Sequence, residues 1–286
     1  MKTPKRLQPL VDDGLIDDVV AQLMSGKEAQ VYVVLRDGQR LCAKVFKEAS
    51  KRSFKQAVQY QEGRQVRNSR RARAMSKKTR YGQKEQEDAW LNAEVDALYR
   101  LAAAGVRVPT PHAFVDGVLL MELVEDGEGA AAPRLDDVTF SAEQARDYHG
   151  RIIREVVRML CAGLVHGDLS EFNVLVDSQG PVIIDLPQAV NAAGNNSAER
   201  MLERDVDNMR RYFGRFDHEL LKTDYGKEIW ALYESGDLYP DTVLTGCFEH
   251  PTASADMDEL MAVMAAAQEE EEERLERLRE DDRQEY

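Results

Sequence analysis

Alternation of hydrophobic and polar positions in the first part of the chain predicts two β-hairpins. Residues 30–36 and 40–46 are rich in β-branched and aromatic side chains and flank Asp37-Gly38, a dipeptide typical of two-residue hairpin turns. Asp116-Gly117 lies in the same way between two further apolar runs. The pattern therefore predicts a small sheet in the first part of the chain.

A period of three to four residues predicts helices elsewhere. Apolar side chains recur at that spacing in residues 88–104, and again from Ser141 to about Ala162, with a glycine after each segment. Residues 199–216 and 217–235 are predicted to be further helices. The fold class is therefore α/β (α+β), with most helices in the second part.

The segment 165–173 carries the strongest indication of chemistry. Asp168 stands five residues before Asn173, the spacing at which kinase-like sites have a base for a substrate hydroxyl and an amide that binds magnesium. The apolar run 181–184 ends in Asp185, where that pattern has its main metal-binding carboxylate. We predict that Asp168 is catalytic and that Asn173 and Asp185 bind the metal. His166 is interpreted as a packed residue that orients the loop, because Asp168 already supplies the base.

Lys44 lies inside the predicted strand 40–46, and its surroundings are similar to the strand whose lysine contacts the α- and β-phosphates in kinases. The alternative is an ordinary solvent-facing lysine. A phosphate-binding lysine of this kind pairs with a glutamate on the next helix. We choose Glu94, although the same region also carries Glu87, Asp88 and Asp96.

Two further segments are candidates for nucleotide binding. The turn Ser25-Gly26-Lys27 has one glycine, and its backbone N–H groups, hydroxyl and ammonium group are suited to phosphate oxygens. Taken alone, it is an ordinary polar turn. Met121-Glu122-Leu123 leaves the second hairpin like the hinge against whose backbone kinases hold adenine, whereas simple core packing is the alternative for Met121.

Three blocks together, 25–32, 166–173 and 183–188, resemble the signature blocks of the RIO family of atypical protein kinases. The resemblance is to the first RIO subfamily, and Leu186-Pro187 is similar to a bacterial variant. It implies ATP with Mg²⁺ or Mn²⁺ as cofactors and phosphorylation of a serine on a protein substrate or on the chain itself. In some members it implies ATP hydrolysis coupled to ribosome-subunit maturation. The segment 90–94 resembles the one that carries the family's lysine-pairing glutamate, which favours Glu94.

The same resemblance implies a bilobal protein-kinase-like fold. We expect an N-lobe at 1–125, which holds the nucleotide-binding strands and a basic flexible insertion at 47–87. We expect a C-lobe at 126–250 with the catalytic and metal-binding loops, joined through a linker at 126–134. A helical acidic tail is expected at 251–286.

Departures from the protein-kinase pattern leave the acceptor open. Gly167 replaces an arginine that docks a phosphorylated loop, and Asp185-Leu186-Pro187 replaces D-F-G, so activation by loop phosphorylation is not expected. Three alternatives to a protein kinase remain. They are a small-molecule phosphotransferase, an RNA-binding ATPase that uses water as acceptor, and a non-catalytic RNA-binding pseudokinase.

Charge is distributed unevenly along a chain of net charge −14. Residues 47–84 contain thirteen Lys or Arg and two Glu, whereas residues 268–286 contain ten acids and four bases. The basic segment is predicted to contact ribosomal RNA or a pre-ribosomal particle. A solvated loop that balances an acidic body is the alternative. The acidic tail is a solvated helix or disordered, and would be able to cover the basic segment.

Composition also bears on location. The three cysteines show neither close pairing nor metal-ligand spacing, so buried thiols in a reducing compartment are expected. No run approaches the ~20 apolar residues that cross a bilayer, and the first residues lack the apolar core of a signal peptide. We therefore expect a cytoplasmic protein without a membrane partner.

Overall fold

Five antiparallel strands in the order β1-β2-β3-β5-β4 form the sheet of the first lobe. They are seen in a computed structural model that describes residues 2–26, 28–47 and 80–248, with only the backbone for 80–90. The strands are β1 (Asp18–Ser25), β2 (Ala29–Arg36), β3 (Gln39–Phe46), β4 (Pro111–Val115) and β5 (Val118–Glu122).

Both predicted hairpins are confirmed. Asp37 and Gly38 have φ values of 51° and 75°, and Asp116 and Gly117 have 50° and 73°. Two successive residues with positive φ match the twist of the flanking strands, and Asp-Gly meets this requirement with little strain. Strand β3 pairs with β2 in the first hairpin and with β5 of the second, so it lies in the interior of the sheet.

The side chains of strand β3 point alternately to the two faces of the sheet. Ala43 and Val45 are buried in a small core with the short helix α1 (Gln8–Asp12). Cys42 and Lys44 point the other way, because successive side chains of a strand alternate between faces, and both line a cleft. The β-strand period therefore directs the Lys44 ammonium group into the cleft.

Helix α2 (Arg80–Ala103) begins earlier than predicted. The apolar period starts only at Trp90, whereas residues 80–89 include Arg, Gln, Lys and Glu, which form helices readily without an apolar stripe. The last part of the expected flexible insertion, residues 80–87, is thus helical. The rest of that insertion and the tail 251–286 lie outside the described residues. The domain boundaries remain predictions.

The second lobe is mainly helical and contains two small two-stranded sheets. Its helices are α3 (Ala142–Cys161), α4 (Ala198–Phe213) and α5 (Tyr225–Ser235). Strand β6 (Leu164–Val165) pairs with β9 (Val190–Asn191), and β7 (Val174–Asp177) pairs with β8 (Gly180–Ile183). Short 3₁₀ segments occupy Leu135–Asp137, Glu171–Asn173 and His218–Lys222.

A side-chain cap marks the start of α3, the first helix of this lobe. Ser141 Oγ accepts a hydrogen bond from the Gln144 N–H at 3.2 Å, which confirms the predicted start of α3. The single helix predicted at 217–235 is wrong. Asp217 caps a 3₁₀ segment by accepting from the Glu219 N–H, and α5 begins only at Tyr225. Asp and Thr side chains can hydrogen-bond to the backbone and so compete with the hydrogen bonds of a helix. The chain therefore turns between the 3₁₀ segment and α5.

Among the described helices, none is long and apolar enough to span a membrane. Cys42 is buried, as expected, but Cys161 and Cys247 are exposed. The expectation of buried thiols is therefore wrong for two of the three. Cys161 ends α3, where an apolar neighbourhood in sequence does not guarantee cover.

His149, in α3, is a buried polar group inside the main core. Its ring packs against Phe213 and Tyr225, and its Nε2 has no hydrogen-bond partner among the described residues. Burial lowers the pKa of His149 from 6.5 to about 4, with a further contribution from Arg210. In mild acid, His149 is therefore protonated in the unfolded chain but stays neutral in the folded protein.

We expect this histidine to destabilise the fold in mild acid. Because its folded pKa is depressed, the unfolded state binds more protons below pH 6.5, and stability falls with pH until about pH 4. From about pH 7.5 to about pH 5 the loss should be roughly 2 kcal/mol. Urea unfolding of the His149→Leu variant should lack this component, while the exposed His112→Gln control should keep it. An equal pH dependence in wild type and His149→Leu would contradict the assignment.

Candidate active site

A cleft of about 730 Å³ brings together most of the residues predicted to bind nucleotide and metal. Residues of the sheet, α2 and the second lobe line it. The predicted residues among them are Gly26, Lys44, Glu94, Met121, Glu122, Leu123, Asn173 and Asp185. Ser25 is exposed at the end of β1, and Lys27 lies outside the described residues.

Lys44 is held between two carboxylates. Its Nζ donates to Glu94 Oε1 at 2.6 Å and to Asp185 Oδ1 at 2.8 Å. The Lys44 and Glu94 side chains are 14 % and 5 % exposed, so water screens this pair only weakly. Burial by itself would lower the pKa of Lys44, but the two carboxylates outweigh it and raise that pKa. The ammonium group therefore stays charged, in a fixed position.

Asp185 follows β8 in an unusual backbone conformation. Its φ is +65°, a region that few residues other than glycine adopt, with Asp and Asn the best tolerated. Burial raises the pKa of Asp185, yet the Lys44 ammonium group offsets this and holds the pKa below its usual range. Oδ2 takes no hydrogen bond from the described residues, so it is available to a cation.

The segment that contains Asp168 is fixed by its own side chains. Asn173 Nδ2 donates to the Asp168 carbonyl oxygen at 2.8 Å, which leaves the Asn173 carboxamide oxygen for another partner. The Asp168 N–H donates to His166 Nδ1 at 3.3 Å, and His166 Nε2 lies 3.1 Å from the Ile184 carbonyl oxygen. Burial lowers the pKa of His166, and a neutral ring can accept at one nitrogen and donate at the other. His166 thus joins the Asp168 loop to Ile184, the residue directly before Asp185.

The Asp168 carboxylate is exposed, so an acceptor hydroxyl can reach it. Burial raises its pKa, which Arg204 lowers and Asp185 raises further. Gln188 Nε2 lies 3.4 Å from Asp168 Oδ2. Gln188 was not predicted as a site residue from the sequence, although it belongs to the block 183–188.

Asp205, on α4, supports the catalytic loop through hydrogen bonds and was not predicted from the sequence. Its carboxylate accepts from the Gly167 N–H at 2.7 Å and from the Leu169 N–H at 3.0 Å. Asn208 Nδ2 donates to the Leu169 carbonyl oxygen at 3.0 Å. Gly167 has φ of +80°, so a larger side chain here would be strained. Asp205 thereby holds the backbone on both sides of Asp168.

A signal for Asp205 is present in the sequence. It lies three residues after Leu202 and four after Met201, on the same helical face as Val206 and Met209. All of these side chains are buried, and Asp205 is 1 % exposed. An acid within an apolar helical stripe is costly unless it has partners, so it marks a position with a specific role. Burial raises the pKa of Asp205 to about 7 although the two N–H donors oppose this shift.

We expect Asp205→Asn to weaken the catalytic loop. An amide offers one acceptor oxygen, so one loop N–H would lose its partner and face an NH₂ donor. The free energy of unfolding should fall by about 2–4 kcal/mol, and phosphoryl transfer should fall with it. Denaturant unfolding and kcat measure the two effects. Glu199→Gln, at an exposed position of the same helix, is the control, and equal stability of the two variants would contradict this role.

The hinge residues and the turn after β1 differ in what they offer to a nucleotide. Glu122 uses its side chain to accept from Thr110 N and Oγ1 at 3.0 and 2.9 Å. Met121 lines the cleft and also packs against the main core. In the turn, the Gly26 N–H donates to the Ala29 carbonyl oxygen at 2.9 Å. That N–H is therefore committed to the turn rather than free for phosphate.

A five-stranded lobe, a helical lobe and a cleft with a lysine–glutamate pair define a protein-kinase-like fold. Comparison of the sequence agrees, because a model of the RIO domain matches residues 30–226. The chain belongs to the RIO family of kinases, and it is therefore an enzyme of the kinase class. As in kinases generally, its chemistry uses ATP and a divalent metal.

Several curated proteins are similar to this chain. RIO-type serine/threonine-protein kinase Rio1 of Haloferax volcanii is 35 % identical over 208 residues, which are 72 % of this chain and 67 % of that protein. Serine/threonine-protein kinase rio1 of Schizosaccharomyces pombe is 30 % identical over 76 % of this chain but only 42 % of its own length. RIO-type serine/threonine-protein kinase Rio2 of Methanocaldococcus jannaschii is 32 % identical over 77 % of both chains.

Proposed function

We propose that this chain transfers the γ-phosphoryl group of ATP to a serine hydroxyl on a protein, including itself. The observation that supports this most directly is Lys44, held at 2.6 Å from Glu94 and 2.8 Å from Asp185 in the cleft. The names of the relatives, which are serine/threonine-protein kinases, support the same reaction.

Each proposed residue has one task. Lys44, placed by Glu94, binds the α- and β-phosphates, and the backbone of Met121, Glu122 and Leu123 faces the adenine. The acceptor oxygen forms a bond to the γ-phosphorus while the bond to the β,γ-bridging oxygen breaks, and ADP leaves. Asp168 takes the hydroxyl proton. Ser25 and Lys27 remain proposed phosphate neighbours. Gly26 shapes the turn instead, because its N–H donates to the Ala29 carbonyl oxygen and its own carbonyl oxygen accepts from Lys47 Nζ.

The donor set fits a hard divalent cation, and we propose Mg²⁺ or Mn²⁺. Asn173 and Asp185 each present an oxygen atom without a partner from the described residues. Within that part of the chain, no cluster of three or more His, Cys, Asp or Glu side chains could hold a metal by itself. Magnesium is commonly bound by one or two side-chain oxygens together with substrate phosphates. When bound, the metal neutralises charge that develops on the phosphates.

A second candidate function is ATP hydrolysis on a ribosomal precursor, with water as the acceptor. The thirteen bases in residues 47–84 favour it, because such a charge excess suits ribosomal RNA or a pre-ribosomal particle. Most of that segment lies outside the described residues. Cytoplasmic location stays a prediction of the sequence.

Incubation with labelled ATP and Mg²⁺ or Mn²⁺ tests the proposal, followed by mapping of the labelled residues. We expect labelled serine in the wild type and none in Asp168→Asn. Release of phosphate without any labelled protein, accelerated by RNA particles, would support the ATPase instead. Transfer to aminoglycosides, choline or sugars would point to a small-molecule phosphotransferase.

Binding of RNA by the basic segment has its own test. Replacement of Arg70, Arg71, Arg73, Lys77 and Lys78 by Gln should weaken RNA binding similarly for different sequences. It should also reduce the salt slope by roughly 0.7–0.9 for each RNA phosphate that the variant no longer neutralises. Filter binding at several salt concentrations measures both quantities. Wild-type protein that fails to bind RNA at low salt would remove this partner.

A further inference from the structure

A second groove, of about 580 Å³, lies in the helical lobe. It is formed by α4, the 3₁₀ segment after it and the start of α5, and charged side chains dominate its walls. Six are cationic and three are acidic: Arg200, Arg204, Arg210, Arg211, Lys222 and Lys227, against Glu203, Asp207 and Asp224. This cationic groove contrasts with a chain whose net charge is −14.

Acids neutralise part of the positive charge of the cationic groove, and both of its lysines have an acidic partner. Asp207 accepts from Arg210 at 2.5 Å and from Arg211 at 2.7 Å, so two guanidinium groups share one carboxylate. Arg200 donates to the neutral hydroxyl of Ser197 at 3.0 Å. Arg200 and Arg211 are both exposed. The groove therefore presents guanidinium groups with remaining capacity for an anion, and guanidinium matches a carboxylate or phosphate in two-point contacts.

One wall of the cationic groove is bonded directly to the catalytic loop. Arg204 Nη2 donates to the Gly167 carbonyl oxygen, and Asn208, about one turn farther along α4, donates to the Leu169 carbonyl oxygen at 3.0 Å. These two loop residues flank Asp168. Burial raises the pKa of Asp168, and the positive charge of Arg204 opposes this increase. A chain that presents its hydroxyl to Asp168 therefore has this groove beside it.

We propose that the cationic groove docks an acidic segment of the protein acceptor, next to the serine that receives the phosphoryl group. The inference rests on the proposed function, and it adds a preference for acceptors with carboxylate or phosphoserine side chains near the target. A peptide suits the groove better than RNA does. Three carboxylates are interleaved with the cations and would repel a continuous phosphate backbone, while a flexible peptide can place its anions between them.

The test compares two peptides, each with one central serine, flanked on both sides by glutamates or by glutamines. The double variant Arg200→Gln/Arg211→Gln should raise KM for the glutamate peptide about tenfold. Its kcat, its KM for ATP and its kinetics with the glutamine peptide should stay near wild type. The control Arg100→Gln/Arg154→Gln removes the same charge from exposed positions outside the groove and should leave KM unchanged.

Direct binding separates failure of this inference from failure of the proposed function. Fluorescence anisotropy of the labelled glutamate peptide should show binding that the groove variant weakens about tenfold and the control does not. This result does not depend on whether the enzyme transfers a phosphoryl group to the peptide. Equal binding of both peptides, or equal weakening in both double variants, would overturn the docking groove. An RNA of the same net charge that displaces the peptide at lower concentration, and binds the groove variant less well, would assign the groove to RNA instead. Absence of autophosphorylation with intact peptide binding would reject the transfer reaction alone.

Discussion

Asp185→Asn should remove metal-dependent ATP turnover, with a loss on the order of 10³-fold. Asparagine tolerates the positive φ of +65° at this position. It also keeps an oxygen for the Lys44 ammonium group, which lies 2.8 Å from Asp185 Oδ1 in the wild type. The substitution therefore deletes a negative charge with little change of shape. ATP turnover over a range of Mg²⁺ concentrations measures the effect, and nucleotide binding should lose its dependence on metal.

Asp136→Asn is the matched control for this variant. Asp136 is exposed and also lines the cleft, so the same charge is lost from the same cavity without touching Lys44. Its turnover should stay close to wild type. Wild-type turnover in Asp185→Asn at low Mg²⁺ would show that another group binds the metal.

Asp168→Asn should lower phosphoryl transfer by ~10²–10⁴-fold and spare nucleotide binding. The amide cannot accept the hydroxyl proton, while the Asp168 backbone contacts to Asn173 and His166 do not involve the altered group. Single-turnover transfer and binding of a fluorescent ATP analogue separate the two quantities. A variant that transfers at the wild-type rate would show that Asp168 is not the base.

The pH profile gives an independent check on Asp168. Burial raises the pKa of this carboxyl group, and Asp185 adds to the shift against the opposing Arg204. The base is protonated as the pH falls through that raised pKa, so the acid limb of kcat should lie above the usual range of an aspartate. Arg204→Gln should move the limb to higher pH. No movement would mean that a different group controls the limb.

Short-range patterns in the sequence were sufficient to predict much of the fold. The Asp37-Gly38 and Asp116-Gly117 turns, and the Ser141 cap of α3, depend on residues close together in sequence. The same holds for the spacing between Asp168 and Asn173, because the loop closes on itself through the Asn173 amide. The predicted helix boundaries were less accurate where the apolar period is missing. Polar helix formers extend α2 towards its start, and capping side chains end the helical pattern before α5.

The sequence by itself determined the class of chemistry and the strand that carries Lys44, since motif spacing and strand alternation are local properties. The family resemblance already favoured Glu94 as the partner of Lys44, but only the tertiary structure showed that Asp185, 141 residues away, shares the same ammonium group. It also revealed Asp205 beneath the catalytic loop and the cationic groove beside it. These contacts join elements that are far apart along the chain, so they depend on how helices and sheet pack together, which no local pattern specifies.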